Sequence, residues 1–347
     1  MPDRLLLPPA LQPGDTLAVV TPSWGGPAEL PAAYQRGLAE LRRAGFRVRP
    51  MPHAGGRLND WVAATAEQRA DDINTAFAAD DVAGIVCTIG GEHSAQLLPH
   101  IDLDLVAANP KVVCGYSDVT VLLHALHARI GLVGCYGPAL IPQWGAVGGM
   151  HAYAATHFAT VTGHARPAGA LPTADYEVQD GNFERAEQTG RPLERTPAAP
   201  RESLRGGRAS GPLLPGCLPS ARRLLGTPWQ PDYAGRVLLL ETPEPPYELE
   251  DADADLTHLR LAGRLDDLAA LVLCRPYLWS SEQTDRFHQL VLHHVDQAVD
   301  QAKGGTYPVL GRVEGGHTDP LPTFAVGVQV TVDADRAELV IDGAAVR

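Results

Sequence analysis

The sequence predicts an α/β protein, with an N-terminal parallel-sheet domain followed by a smaller C-terminal domain of mixed α/β type. Three observations carry this. Strand-like apolar runs alternate with helix-like stretches through the first part of the chain, the pattern of a parallel sheet covered on both faces. A stretch rich in Pro, Gly and Arg, "RAEQTGRPLERTPAAPRESLRGGRAS", then breaks all apolar periodicity. Strands and helices resume beyond it and end in a β-hairpin. The expected division is residues 1–165, a linker or surface loop at 166–210, and residues 211–347.

Each element follows from its own pattern. "TLAVVTP" (Thr16 to Pro22) is a continuous apolar run and predicts a buried strand. "LPAAYQRGLAELRRAGF" puts Tyr34, Leu38 and Leu41 on one helical face, with Gly45 as the stop. "RVRPMP" predicts a short strand, and "AEQRADDINTAFAAD" a helix with Ile73 and Phe77 on one side. "VAGIVCTIGG" is a buried strand ending in glycines, with a helix expected from about Ser94. "KVVCG" and "DVTVLLHALHARIG" repeat the strand–helix unit, and "LVGCYGPAL" adds a strand. In the second part "GRVLLLE" predicts a strand, Leu256 to Ala262 a helix, and "LAALVLC" a strand. "EQTDRFHQLVLHHVDQAV" predicts a long helix, and "AVGVQVTVDADRAELVID" a hairpin turning at Asp333 to Asp335.

The charge balance narrows the function classes. Net charge is −13, from 41 acidic and 28 basic residues, which argues against a nucleic-acid partner because phosphate backbones are bound by clustered Lys and Arg. No stretch approaches the roughly 20 apolar residues of a membrane helix. The opening "MPDRLLLPPALQPGD", broken by Pro8 and Pro9, lacks the form of a signal peptide. The five cysteines, Cys87, Cys114, Cys135, Cys217 and Cys274, show no CxxC spacing. A cytoplasmic protein with neither metal nor organic cofactor is expected.

The segment "KVVCGYSDVT" raises a choice for Ser117. Strand, glycine, serine, helix is how a nucleophile elbow is built, and Gly115 meets its first glycine. Val119 stands where the second glycine belongs, so the residues alone favour Ser117 or Asp118 as a plain helix cap. "TIGGEHS" places Gly90 and Gly91 at the C-terminal end of a strand, the edge facing the ligand crevice in an α/β sheet. Glycines there suit an oxyanion hole, or simply a tight turn. His317, in "VEGGHTDP", sits between flexible glycines and a polar turn, unlike His124, His127, His293 and His294 on predicted helices, where packing or a solvated face is expected. Glu241 ends the apolar strand "VLLL" and is the best acid to orient a histidine base. The acidic residues after it, from Glu244 to Asp255, follow proline-rich sequence and read as a solvated patch.

Taken in order, "ALQPGDTLAVVTPS", "TIGGEHSAQLLPHID", "GYSDVT", "GLVGCYGPAL", "GTPWQPDYAGRVLLLE" and "GGHTDP" resemble the motifs of the LD-carboxypeptidase family of serine peptidases. The resemblance spans Leu6 to Ile341 and is closer to the microcin-immunity branch than to the muropeptide branch. It implies a Ser-Glu-His triad at Ser117, Glu241 and His317, and an oxyanion hole from the backbone N–H groups of Gly91 and Asp118. It also implies an active site between the two domains, a homodimer, and cleavage of a C-terminal amide-type bond in a small peptide or peptidyl-nucleotide. Gly90, Glu92, Arg275, Tyr176 and Phe183 are the expected substrate contacts, Arg275 as the holder of a terminal carboxylate.

The chain also departs from the family. Cys217 in "PGCL" replaces an asparagine, and the linker loop lacks tryptophan, leaving Tyr176 and Phe183 as its aromatics for stacking on a nucleobase. A muropeptide LD-carboxypeptidase, a hydrolase of another amide or ester with the same triad, and a non-catalytic binding protein are the alternatives. The intact Ser117, Glu241 and His317 weigh against the last.

Overall fold

The computed structural model describes residues 4–179, 181 and 183–347. The chain opens with β1 (Thr16–Val20), α1 (Gly26–Glu29), α2 (Pro31–Arg43), β2 (Arg47–Pro50), α3 (Ala66–Ala78) and β3 (Val82–Cys87). It continues with α4 (Leu103–Ala108), β4 (Val112–Gly115), α5 (Val119–Ile130), β5 (Cys135–Tyr136) and α6 (Ala152–Gly163). The connecting region holds β6 (Gly169–Ala170), β7 (Tyr176–Glu177), α7 (Phe183–Thr189), β8 (Thr196–Pro197) and β9 (Glu202–Arg205). Next come β10 (Arg208–Cys217), α8 (Leu218–Arg222), β11 (Val237–Glu241), α9 (Leu249–Leu261) and β12 (Ala270–Cys274). The last are α10 (Ser281–Ala302), β13 (Val309–Val313), β14 (Phe324–Ala325), β15 (Gln329–Asp333) and β16 (Glu338–Ile341).

Two sheets organise these elements. The first has six strands in the order β14-β5-β4-β3-β1-β2. Its five N-terminal strands are parallel, and β14 joins antiparallel to β5. The second has eight strands, β6-β16-β15-β10-β11-β12-β13-β9. There β10 to β13 are parallel, with antiparallel strands on both flanks. Every residue of β1, β4, β11 and β12 is buried, as strands covered on both faces must be. One cluster of buried apolar side chains runs from Ile85 and Val113 in the first sheet, through Leu122 and Leu126 of α5, to Leu239 and Val272 in the second. Helix α5 is buried from Val119 to His127 and packs on β10 and α8, which explains its apolar residues on every side.

Several expectations need correction. The helix expected from Ser94 is a 3₁₀ turn over Ser94–His100 that contains Pro99, because proline cannot sustain an α-helical hydrogen bond. The strand in "LVGCYGPAL" is only Cys135–Tyr136. Helix α9 begins at Leu249, well before Leu256, held by a capping box between Glu248 and Asp251. The linker carries structure of its own, and β9 pairs with β13 at the edge of the second sheet. The second sheet has eight strands against six, because β6 and β9 of the connecting region join it.

One crossing matters most. After β13 the chain leaves the second sheet, runs to the edge of the first, and pairs Phe324 with Tyr136 before returning to β15. The segment making that crossing includes His317.

Candidate active site

Ser117 sits between β4 and α5 with φ +60, a backbone conformation that costs a non-glycine residue roughly 1–2 kcal/mol. Strain of this kind persists where surrounding structure enforces it, as at a nucleophile elbow. Neither Ser117 nor Asp118 caps α5 with its side chain, so the plain capping role is not the one they take. The Asp118 carboxylate instead accepts from the N–H of Ser94 at 2.8 Å, the hydroxyl of Ser94 at 2.7 Å and Arg223 Nη1 at 2.8 Å.

The crossing segment brings His317 to this serine. Its Nε2 lies 3.2 Å from Ser117 Oγ, and its Nδ1 lies 2.7 Å from Glu241 Oε2. The backbone N–H of His317 also donates to Glu241 Oε2, at 3.2 Å. Gly316 permits this approach. Its φ is +75, and a Cβ there would stand 2.6 Å from Glu241 Cβ. The Tyr136 hydroxyl donates to Glu241 Oε1 and accepts from the N–H of Ser117 at 3.3 Å. The edge of Tyr116 packs on the His317 ring with centroids 5.0 Å apart.

A second carboxylate reaches the same imidazole. Glu244 Oε2 lies 2.9 Å from His317 Nε2, on a side chain that remains 60% exposed. Burial lowers the pKa of His317, and the charges and hydrogen bonds of Glu241 and Glu244 outweigh it, raising the pKa to about 10. Burial raises the pKa of Glu244, and its pairing with His317 more than reverses that, holding it below the usual carboxylate range. Asp319, two residues beyond His317, is pushed up to about 6 by burial.

Gly90 and Gly91 bring the backbone against the serine. A Cβ on Gly90 would stand 2.7 Å from Ser117 Oγ and 3.2 Å from the nitrogen of Asp118. Among the described residues, the N–H groups of Gly91 and Asp118 have no protein acceptor. Gly90, Gly91, Ser117, His317, Glu244 and Asp319 border a cavity of about 680 Å³ whose other walls include Trp24, Ile141, Val178 and Tyr277.

The remaining expected contacts divide. Gly90 and Gly91 line the cavity. Glu92 points away, 73% exposed and 3.4 Å from Arg223. Arg275 is buried and its guanidinium is committed to Glu314 at 3.1 Å and to the carbonyls of Ala174, Ala199 and Arg312, so it holds the fold and not a substrate. Tyr176 stands behind the cavity wall, stacked on His151, with Arg195 over its ring at 4.7 Å. Phe183 opens α7, and its side chain lies outside the described residues. Of the residues read as a solvated acidic patch, Glu244 faces His317 and Asp255 is buried against Tyr247. Glu244 is three residues past Glu241 and Asp319 belongs to the "HTDP" turn, so proximity in sequence was the available signal. Trp24 carried none.

Cys217 is buried beside Glu241 on the neighbouring strand, backing the acid and not facing the cavity. Cys217, Glu241 and His317 present ligand-type atoms all within 4.8 Å of one another. Burial and the adjacent Glu241 hold the Cys217 thiol protonated well above its ordinary pKa, which opposes the thiolate a metal would require. His124 and His127 are buried, bonded to the carbonyl of Pro215 and to Arg236, which is a packing role.

Comparison with known proteins agrees with this fold. The LD-carboxypeptidase N-terminal domain matches residues 17–137, and the LD-carboxypeptidase C-terminal domain matches residues 210–332. The chain is 31% identical to a putative carboxypeptidase of Streptomyces coelicolor, over 98% of this chain and 97% of that one. It is 27% identical to the microcin C7 self-immunity protein MccF of Escherichia coli, over 97% of this chain and 95% of that one. Identity to the probable murein peptide carboxypeptidase of Bacillus subtilis is also 27%, over 96% and 94%. Among solved structures, MccF in complex with aspartyl sulfamoyl adenosine superposes with a TM-score of 0.87 at 25% identity, over 99% of this chain and 100% of that one.

Proposed function

This chain belongs to the LD-carboxypeptidase family of serine peptidases, and we propose that it cleaves a C-terminal amide-type bond of a small peptide or peptidyl-nucleotide through Ser117, His317 and Glu241. One observation carries the reading: a strained serine bonded in series to a histidine and a buried carboxylate, at the mouth of a cavity of about 680 Å³.

His317 in its neutral form takes the proton from Ser117 Oγ as that oxygen bonds to the scissile carbonyl carbon. The carbonyl oxygen becomes an oxyanion and is received by the N–H groups of Gly91 and Asp118. His317 then hands its proton to the leaving nitrogen, the C–N bond breaks, and the acyl group stays on Ser117 as an ester. Water, deprotonated by His317, attacks that ester and restores the serine. Glu241 accepts from Nδ1–H throughout and stabilises the imidazolium, while Tyr136 and the His317 N–H hold Glu241 in place. The serine comes from residues 1–165 and the acid and base from 211–347, and a cytoplasmic homodimer belongs to the same proposal.

The similarity to a protein solved with aspartyl sulfamoyl adenosine, together with a cavity walled by Trp24, favours an aminoacyl-nucleotide as substrate. The similarity to a murein peptide carboxypeptidase supports muropeptides as the second reading. Reaction with a fluorophosphonate probe tests the nucleophile. Labelling of the wild type that disappears in Ser117→Ala supports the proposal, and labelling that survives the substitution removes Ser117 from it.

A further inference from the structure

His317 Nε2 is the atom that must accept the proton of Ser117, and two groups compete for it. Ser117 Oγ lies at 3.2 Å and Glu244 Oε2 at 2.9 Å. A carboxylate at that distance binds the protonated imidazole, and an imidazolium cannot act as a base. The arrangement therefore describes a resting state in which the base is occupied. Glu244 is not locked there. It follows the end of β11 on an exposed loop, and among the described residues His317 is the cation it pairs with.

We propose that Glu244 is a gate and a specificity-determining residue. It caps His317 in the free protein and is drawn off by a cationic group, such as an ammonium, on the acyl half of the substrate. The inference rests on the serine-hydrolase reading above and deepens it.

The charge pattern around His317 supports a cation as the releasing group. Glu241 and Glu244 flank its ring, Asp319 lies two residues on, and Tyr116, Ser117 and Cys217 stand close to it. The other cations lining the cavity are engaged elsewhere, Arg36 with Glu187 and Arg195 over the ring of Tyr176 at 4.7 Å, from where its charge also acts on Asp319. A carboxylate that gives up a partner close to the cavity wall needs a replacement positive charge, and a substrate ammonium provides one. As Glu244 moves to it, Nε2 loses a carboxylate that favoured its proton, so His317 gives up that proton more readily and its neutral form is available as the base when the substrate is seated. A neutral or anionic acyl group has no such effect and meets a site whose base stays protonated.

Glu244→Gln keeps the shape of the side chain and removes its charge. The test follows fluorophosphonate labelling of Ser117 against pH in wild type and Glu244→Gln. It then compares kcat/KM on an aminoacyl-sulfamoyl adenosine with a free α-ammonium and on its N-acetyl form. The expected result is a labelling midpoint at lower pH in Glu244→Gln. Wild type should prefer the free amine by about tenfold or more, the scale of a hydrogen bond to a charged group, and the variant should lose that preference. An unchanged midpoint with an unchanged preference overturns the gate and leaves the nucleophile assignment standing. Absence of Ser117-dependent labelling at every pH removes the serine-hydrolase reading and the gate with it.

Discussion

The phenol of Tyr136 donates its proton to Glu241, on the carboxylate oxygen that His317 does not use. Tyr136 is on β5 of the first sheet and Glu241 ends β11 of the second, so this bond ties the acid to the sheet that carries the serine. Burial and the nearby Glu241 raise the phenol far above its ordinary pKa, so it remains a donor.

Tyr136→Phe removes that donor and leaves a buried carboxylate oxygen short of a partner. The expected cost is about 1–3 kcal/mol of folding stability, with kcat reduced more than KM because the orientation of His317 loosens. Urea denaturation alongside steady-state kinetics checks both parts.

Gly90 has no room for a side chain, since a Cβ there would meet Ser117 Oγ at 2.7 Å. Gly90→Ala is expected to displace the serine or the turn before it. Fluorophosphonate labelling should fall by about tenfold or more, the change produced by roughly 1.4 kcal/mol in the barrier. Circular dichroism should remain that of the folded protein. Labelling at the wild-type rate would show that this turn does not set the position of Ser117.

Arg275 is 5% exposed in its side chain and joins Arg201 on the fully buried carboxylate of Glu314. Arg275→Ala leaves that carboxylate and several carbonyls short of donors. It is expected to lower stability by about 3 kcal/mol, within the range for breaking a buried pair, without a selective rise in KM. A specific loss of substrate affinity at unchanged melting temperature would restore Arg275 as a substrate contact.

His317 gives two pH signatures. Its pKa stands at about 10 in the folded protein against 6.5 for the free side chain. The group must lose its proton to serve as a base, so labelling of Ser117 should accelerate as pH rises through the neutral range towards about 10. The stability it contributes is complete below pH 6.5, declines above it, and is gone once pH passes about 10. Denaturant midpoints measured from about pH 5.5 to about pH 11, roughly one unit beyond these limits, should fall accordingly.

The parts of the fold legible in the sequence are those whose signal is local. β1, β4, β11 and β12 are unbroken apolar runs because both faces are buried, and α2 and α3 show one apolar face each. The neighbourhood of Ser117 was readable for the same reason: strand, glycine and helix are contiguous. The candidacy of Ser117 as nucleophile came from the resemblance of the ordered motifs and not from its own segment, since its partner His317 arrives on the crossing to β14, a strand of two residues too short to leave a pattern. Glu244 and Arg275 show the limit of local signal. Proline-rich surroundings predict a solvated Glu244, and its side chain is 60% exposed, but its carboxylate also reaches the imidazole; a position after a strand made Arg275 look available, although Glu314 binds it. Charge alone does not say which side of a strand end meets a partner.

Amide hydrolysis by Ser117 at this cavity is the proposed reaction. Its most direct test is to incubate wild type and Ser117→Ala with an aminoacyl-sulfamoyl adenosine and with a murein tetrapeptide ending in D-alanine, following products by mass spectrometry. Wild type is expected to release the amino acid from the nucleoside, or D-alanine from the muropeptide, and Ser117→Ala to release neither. Cleavage that proceeds equally in Ser117→Ala would contradict it.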